Sequence, residues 1–394
     1  MNNKNKNICI IGGAGHVGAP LGLSFSLKGF NVTLIDQNKK NIKSLNKKKM
    51  PFLEEGCEPI LKKMVKKKRI FASNNFDFIK NSKFVIICVG TPINKNQKPE
   101  LKKFAQLFYN LKKYLHKNQI IIIRSSVSLG TCKKVYNIIK NKCKNLSYCP
   151  ERIAQGKSIK ELPKLSQIVS AYTNYAKTQS GNLFRKISKK VIFTSIKEAE
   201  LIKLFSNAYR YINFSISNQF YMICEKENLN FFKIRRLMRD NYIRNENLPK
   251  AGFAAGPCLP KDTLQLSSQY NHKFKLFKSA YSINDGIPNF IINKISKIKK
   301  FKTKKIGVLG LAFKSGNDDI RDSLSIKLLK LLKSKGIKTF QSDEYYKNKN
   351  NIDKKNLIKR SDIIIIATPH KQYKNLKIHK SKIVIDIWGT FEKE

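Results

Sequence analysis

The sequence predicts an α/β protein: two Rossmann-like, doubly wound parallel-sheet domains joined by a central helical region. Short all-apolar runs, such as Ile8-Cys9-Ile10-Ile11 and Ile120 to Ile123, read as strands buried on both faces. A glycine-rich turn follows the first of these runs, and a helical stretch follows the turn. The strand and helix alternation stops at a long helix near residue 197 and restarts near residue 306, so two sheets are expected. With 394 residues the chain is long enough to bury two or three cores. The expected divisions are 1–195, 196–298 and 299–394.

The first turn reads Gly13-Ala14-Gly15-His16-Val17-Gly18. In such a turn the first glycine permits the tight bend and the second lets the backbone approach a pyrophosphate. The third lets the helix pack on the strand, and the helix N-terminus faces the phosphates. The apolar stretch from Leu21 to Phe30 reads as that helix. The next strand, Asn31 to Ile35, ends in Asp36, about 20 residues beyond the glycines, where a carboxylate can accept both ribose hydroxyls. A six-residue glycine pattern alone is matched by ordinary turns. Strand, helix and acid in register make it a dinucleotide site, with NAD favoured over NADP. Lys39 and Lys40 follow closely and could meet a 2′-phosphate, which is the counter-signal.

Further along, Phe84 to Val89 reads as a parallel strand that turns at Gly90-Thr91-Pro92. The run Ile120 to Ile123 ends in Arg124-Ser125-Ser126-Val127-Ser128-Leu129-Gly130-Thr131. Both put polar residues at strand C-terminal ends, where the ligands of doubly wound sheets gather; the bland reading of each is ordinary turn chemistry. Another strand leads to Tyr148-Cys149-Pro150-Glu151-Arg152, with an acid and a base in a loop. Lys197 to Glu227 reads as one long helix with an apolar stripe of Leu201, Leu204, Phe205, Ala208, Tyr211 and Ile212. On it Lys203 and Asn207 lie one turn apart on one face, a spacing for which a surface pair is the default. The second α/β region has strands at Ile306 to Gly310, Ile363 to Ala367 and Ile383 to Ile387, and a helix from Ser323 to Lys333.

Lys and Arg number 79 against 26 Asp and Glu, a formal charge of +53. Such an excess ordinarily points to nucleic acid or an anionic surface. Here it is nearly all Lys, spread over the whole length and accompanied by abundant Asn and Ile, as AT-rich coding produces on every solvated face. No nucleic-acid-reading motif accompanies it, so specific nucleic-acid binding is not expected, although a positive field would steer an acidic nucleotide. The eight cysteines, at 9, 57, 88, 132, 143, 149, 224 and 258, show no Cys-x-x-Cys pair and no zinc spacing, and no metal site is expected. Cys9 and Cys88 sit in apolar strand runs as small hydrophobes. The N-terminus is polar and no apolar stretch approaches the length of a membrane span, so a cytoplasmic protein with reduced thiols is expected. Cys258 stands apart, in Gly256-Pro257-Cys258-Leu259-Pro260-Lys261-Asp262. Its Gly, Pro and polar neighbours argue for a loop thiol over a core thiol. A thiol held near a nicotinamide can trap an aldehyde as a thiohemiacetal; a second hydride transfer gives a thioester that water hydrolyses to an acid.

Six ordered segments, taken with the glycine loop, resemble the UDP-glucose/GDP-mannose dehydrogenase family nearly end to end. They are Val89-Gly90-Thr91-Pro92, the Ser125-to-Thr131 turn, Cys149-Pro150-Glu151-Arg152, Glu200-Leu201-Ile202-Lys203 through Asn207, the Cys258 run, and Gly310-Leu311-Ala312-Phe313-Lys314 with Asp319-Ile320-Arg321-Asp322-Ser323. The resemblance implies an NAD-binding domain, a central helical region used for homodimerisation and a C-terminal domain that binds the UDP-sugar. It implies a four-electron, NAD-dependent oxidation of the C6 alcohol to the uronate. Cys258 would be the nucleophile, and Lys203 would stabilise the alkoxide and later the thiohemiacetal oxyanion. Asn207 would donate a hydrogen bond to the same oxygen, and Asp262 would orient a water as proton acceptor. Glu151 would help activate water for thioester hydrolysis, and Ser126 would hold that water or the nicotinamide side of the site. Thr91 and Ser126 would line the cofactor pocket beside Gly13, Gly15, His16, Val17, Gly18 and Asp36. Glu151, Arg152, Lys203, Lys314 and Arg321 would contact the substrate, with surface salt bridges as the bland reading of the last two.

The chain departs from the family pattern at three places. Ser126 stands where many members place Thr, which keeps the hydroxyl. Gln155 stands where UDP-glucose dehydrogenases carry a second Glu, and a Gln cannot act as a base. The Pro-Glu-Arg form resembles the branch acting on UDP-N-acetylhexosamines, so UDP-N-acetylmannosamine or UDP-N-acetylglucosamine is expected over UDP-glucose. In Ala251-Gly252-Phe253-Ala254-Ala255-Gly256 alanines replace usual glycines and would strain any position that needs positive φ. The rival readings are a UDP-glucose 6-dehydrogenase, a single-step hydroxyacid dehydrogenase, and a non-catalytic NAD- or nucleotide-sugar-binding protein.

Overall fold

The computed structural model describes residues 6–91, 93–94, 100–270 and 273–392. Pro92, which closes the turn after Val89, lies outside the described residues. The chain divides into two compact units, Met1–Phe205 and Ser206–Glu394.

In the first unit the elements run β1 (Asn7–Ile11), α1 (Gly18–Leu27), β2 (Asn31–Ile35), α2 (Lys39–Asn46), α3 (Cys57–Lys66), β3 (Ile70–Ser73), β4 (Phe84–Ile87) and α4 (Leu101–Leu111). They continue as β5 (Ile120–Ile123), α5 (Thr131–Ile139), β6 (Leu146–Tyr148), α6 (Ser158–Glu161), β7 (Gln167–Ala171), α7 (Asn174–Arg185) and β8 (Val191–Phe193). The strands form one eight-stranded sheet in the order β3-β2-β1-β4-β5-β6-β7-β8, and the order reverses between β1 and β4. Alternate residues of each strand feed opposite cores. Ile8, Ile10, Ile120 and Ile122 pack on one side, and Cys9, Ile11, Ile121 and Ile123 on the other. This two-sided burial is why the strands read as unbroken apolar runs. The sheet is not wholly parallel as expected from the sequence, because β6 and β7 pair antiparallel. The chain between them carries only the four-residue α6 in place of a long crossover helix, and it returns in the opposite direction.

Helix α1 begins three residues earlier than its apolar run suggests and stops at Leu27. The stop is local chemistry. Gly29 takes φ +85°, its N–H donates to the Ser26 carbonyl, and the Phe30 N–H reaches back to Phe25, the pattern of a Schellman cap.

Helix α8 (Ile196–Lys226) carries the division between the two units. It is followed by α9 (Phe231–Arg239), α10 (Leu259–Gln269), α11 (Lys275–Ser296), β9 (Ile306–Leu309), α12 (Leu324–Ser334), β10 (Thr339–Ser342), α13 (Lys354–Arg360), β11 (Ile363–Ile366) and β12 (Ile383–Asp386). These four strands form a parallel sheet in the order β10-β9-β11-β12, reversing between β9 and β11. Ile306, Val308, Ile363 and Ile365 share one core with Tyr221, Phe231, Phe253, Ile287 and Ile291, so the helical segments and one face of the second sheet are packed as a single body. Leu309, Ile364 and Ile366 face a smaller core with Leu357 and Tyr373. On α8, Leu204, Ala208 and Tyr211 are buried as the stripe suggests, whereas Phe205 is 53% exposed.

Candidate active site

The glycine loop is shaped by close approaches that leave no room for side chains. Gly12, one residue before the recognised motif, takes φ +75°, and a Cβ on it would lie 2.8 Å from the Cys88 carbonyl oxygen. A Cβ on Gly13 would lie 2.6 Å from the Ile10 carbonyl oxygen, and one on Gly18 only 2.4 Å from that of Gly12. At Gly15 the nearest atom, the Gly12 carbonyl oxygen, is 3.4 Å from such a Cβ, so this side of the loop stays open. No side chain caps the N-terminus of α1; the Ala19 N–H donates to the Gly15 carbonyl at 3.0 Å and Pro20 carries no N–H, so an anion here would meet the helix end at Gly18 and the loop before it. Asp36, at the end of β2, accepts the Ala14 N–H on one oxygen and the Asn38 N–H on the other, both at 3.0 Å. Lys39 and Lys40 are exposed. Open glycine backbone, an uncapped helix and a partly exposed carboxylate fit the pyrophosphate and ribose of NAD.

The ends of β4 and β5 are stitched together beside this loop. Thr91 Oγ1 donates to the Ser126 carbonyl at 2.5 Å, and Ser125 Oγ to the Val89 carbonyl at 2.6 Å. Buried Glu200 on α8 accepts the N–H groups of Gly130 (2.7 Å) and Cys132 (2.8 Å), capping α5 from a distance in sequence.

Glu151 is spent on structure. One of its carboxylate oxygens is ion-paired with Arg124; the other accepts the N–H groups of Arg152 (2.7 Å) and Ile153 (3.0 Å). Arg124 is 1% exposed, donates twice to Gln167 Oε1 at 3.2 Å, and lies 4.7 Å from the centre of the Phe184 ring. Burial by itself would raise the Glu151 pKa, but the guanidinium and the two backbone donors outweigh it and hold the carboxyl below its usual range. The pairing with Arg124 and the two backbone donors give Glu151 an anchoring task in the fold. Arg152 donates to the Ser166 carbonyl at 2.5 Å.

In the second unit Cys258 is exposed at the N-cap of α10, with Pro260 in the first turn. Helix N-termini favour negative charge, and Cys258 and Arg321 are close enough to be coupled electrostatically. Asp262, one turn into the helix and fully buried, accepts from Asn207 Nδ2 at 2.6 Å and pairs with Lys261 at 2.9 Å. Two residues expected to share the chemistry, 55 positions apart, are thus brought into contact. Lys203 is 8% exposed, and it forms no ion pair among the described residues.

The loop before Cys258 has two demanding positions, and both hold glycine. A Cβ on Gly252 would lie 2.3 Å from the Trp388 ring. Gly256 takes φ +95°, and a Cβ on it would lie 2.5 Å from the Phe313 ring. Ala254 and Ala255 have negative φ, so the anticipated strain at the alanines does not arise. Asn218, buried in the middle of α8, holds Gly252 by both backbone groups: its Oδ1 accepts the N–H at 2.8 Å and its Nδ2 donates to the carbonyl at 3.1 Å.

The second sheet has its own switch-point loop, Gly310 to Lys314. Asp343, after β10, accepts from Leu311 (2.5 Å) and Ala312 (3.0 Å) as Asp36 accepts from Ala14. It also accepts from Tyr345, Tyr346 and His370, so its carboxylate is filled by the protein. Burial raises the Asp343 pKa, but the His370 contact and the backbone donors outweigh it and bring it down to about 2. Arg321 is held by Asp319 through both carboxylate oxygens, at 2.6 to 3.0 Å, and Lys314 lies 5.9 Å from the centre of the Phe313 ring. Glu200, Arg124, Asn218 and Asp343 were not picked out as site residues in the sequence. Only a polar residue inside an otherwise apolar element could have flagged them.

Fold and glycine loop together define a dinucleotide-binding α/β oxidoreductase with a second sheet of its own. The UDP-glucose/GDP-mannose dehydrogenase family matches through its NAD binding domain at residues 6–192, its central domain at 197–286 and its UDP binding domain at 307–393. The chain belongs to this family. It is 26% identical to the UDP-N-acetyl-D-mannosamine dehydrogenase of Methanocaldococcus jannaschii, covering 100% of this chain and 94% of that protein. It is 28% identical to the UDP-glucose 6-dehydrogenase of Rickettsia felis, covering 98% and 93%. The structure of UDP-D-ManNAc dehydrogenase from Pyrococcus horikoshii superimposes with a TM-score of 0.90 at 25% identity, covering 98% of this chain and 96% of that one. The protein is an NAD-dependent nucleotide-sugar dehydrogenase. Among the described residues no helix is long and apolar enough to cross a membrane, and no group of three or more His, Cys, Asp or Glu is placed to hold a metal.

Proposed function

We propose that this chain is a UDP-N-acetylhexosamine 6-dehydrogenase that converts the C6 alcohol of UDP-N-acetylmannosamine or UDP-N-acetylglucosamine to the uronate. The observation that carries the reaction is an exposed thiol, Cys258, at the N-cap of a helix whose first turn holds Asp262 on the amide of Asn207. NAD would be held by Gly13, Gly15, His16, Val17, Gly18, Asp36 and Thr91, and two NAD molecules bound in turn would supply the hydride acceptor, one for each oxidation stage. Cys258 adds to the C6 aldehyde and carries the acyl group as a thioester, which water cleaves to the acid and the free thiol. Lys203 balances the charge on the C6 oxygen, and the second N–H of Asn207 donates to the same oxygen. Asp262 takes the proton of the attacking water, and Ser126 positions that water or the nicotinamide side. Glu151 holds the loop of Arg152. Lys314 and Arg321 hold the substrate's phosphates or sugar, where Arg offers two parallel donors. The choice of N-acetylated sugar is supported by Gln155, which removes the second carboxylate of UDP-glucose dehydrogenases. It is supported also by the names of the relatives from Methanocaldococcus and Pyrococcus.

The second reading, a UDP-glucose 6-dehydrogenase, is favoured by the Rickettsia relative. NADH formed per mole of UDP-N-acetylmannosamine, UDP-N-acetylglucosamine, UDP-glucose and GDP-mannose separates them, with wild type and Cys258→Ser compared. Two equivalents on an N-acetylated sugar, stalled in the variant, are expected. Two equivalents on UDP-glucose alone would favour the second reading. One equivalent, unaffected by the variant, would demote Cys258, and no turnover would leave a binding protein.

The division at 1–195, 196–298 and 299–394 and a homodimer through the central region belong to the same proposal. In favour of the dimer, Phe205, Tyr209, Ile216, Phe220 and Ile223 are spaced along one face of α8 and are 38–62% exposed. A cytoplasmic location is in keeping with the eight free cysteines.

A further inference from the structure

Gln155 stands where UDP-glucose dehydrogenases commonly carry a second Glu, and the structure turns its side chain to the cofactor loop. Its Nε2 lies 2.9 Å from Nδ1 of His16, the fourth residue of the Gly13 to Gly18 loop. The His16 ring lies against Phe52, with centroids 3.9 Å apart. The segment around Gln155 is strapped down on both sides. Ala154 N–H donates to Glu161 at 2.7 Å, and the N–H groups of Gly156 and Ser158 donate to Glu54, each at 2.8 Å. Glu55 N–H donates to the Gly156 carbonyl at 3.3 Å. The stretch from Phe52 to Glu55 thus touches the cofactor loop at one end and holds the 153–158 segment at the other. At the start of that segment Glu151 is fixed by Arg124.

We propose that Gln155 is a positioning residue: its hydrogen bond to His16 couples NAD binding at the glycine loop to the ordering of residues 151–158. Through that segment the cofactor loop bears on the backbone that follows the Glu151–Arg124 anchor. An amide suits the task better than a carboxylate. It offers N–H to a neutral imidazole and, by turning over, C=O to a protonated one. A Glu could only accept, from an Nδ1–H of the ring, and would place a negative charge beside the loop that receives the pyrophosphate. Nothing in this coupling depends on which sugar is oxidised.

The test uses the full chain without a sugar substrate. Hydrogen exchange of a peptide covering 151–158 is followed with and without saturating NAD, and NAD affinity is measured by titration calorimetry. The variants are Gln155→Met, which keeps length and bulk, His16→Phe, which keeps the ring against Phe52, and the two together. His16→Phe attacks the same bond from the other partner, so the coupling stays testable if one variant folds poorly. In wild type NAD is expected to slow exchange of the segment. Each single variant should bind NAD about threefold to tenfold more weakly, from the loss of one hydrogen bond. Each should lose the NAD-dependent protection, and the double variant should be no weaker than the worse single one. Protection that persists in both single variants, or losses that add in the double variant, would overturn the coupling.

Discussion

At the residue scale the site is built from side chains that are saturated by the protein and others that are kept open. Asp36 and Asp343 follow the second strand of their sheets and grip the same kind of loop. Asp36 is partly exposed and suits a ribose, whereas Asp343 is buried and takes donors from five groups. The ordinary value for Asp is 3.8, and Asp343 sits at about 2 in the folded chain. A depressed carboxylate stabilises the fold above its unfolded value, and that contribution is lost as pH falls from about 4 towards 2. Thermal unfolding of wild type and Asp343→Asn across that range should converge at the acid end, with wild type the more stable at pH 6. Arg124 makes a second case. Its charge is buried with Glu151, and Arg124→Met would leave that carboxylate unpaired. A loss of about 3–5 kcal/mol is expected by chemical denaturation. Neither pair was legible in advance, because a polar residue at a strand end looks the same whether its partner is a ligand or a residue dozens of positions away.

At the scale of elements, loops are held by groups that belong to other elements. Glu200 on α8 caps α5, and Asn218 on the same helix fixes both backbone groups of Gly252. Glu200→Gln should cost about 1–2 kcal/mol, because the cap loses its charge but keeps an acceptor. Gly256→Ala should cost more, since φ +95° disfavours any side chain and the Phe313 ring would have to move. Its effect should show as lower kcat with Cys258 still titratable by a thiol reagent. The long apolar strands and α8 were readable to within a residue or so at each end, because burial on both faces leaves a continuous apolar signal. The strands β3, β7, β8 and β10 were not read. They have three to five residues, and Gln167, Ser170, Gln341 and Ser342 are polar yet buried, which hides the pattern.

At the scale of the whole molecule, charge and oligomeric state govern behaviour in solution. A formal charge of +53 should draw in an anionic nucleotide sugar, so kcat/KM should fall as salt is raised from about 0.02 to 0.3 M while kcat changes little. An unchanged kcat/KM would mean that the excess Lys is spread too evenly to steer. If α8 pairs with its copy, Tyr209→Lys with Ile223→Glu should shift sedimentation from dimer to monomer at micromolar concentration. The sequence alone determined the fold class and the cofactor loop and singled out Cys258 as a loop thiol, because each rests on residues close together whose spacing is itself the signal. Tertiary structure alone decided that Asp262 meets Asn207, that Glu151 is neutralised by Arg124, and that Gln155 turns to His16. Those facts depend on which distant side chain fills each donor and acceptor, and the burial that makes each bond matter exists only once the chain has folded.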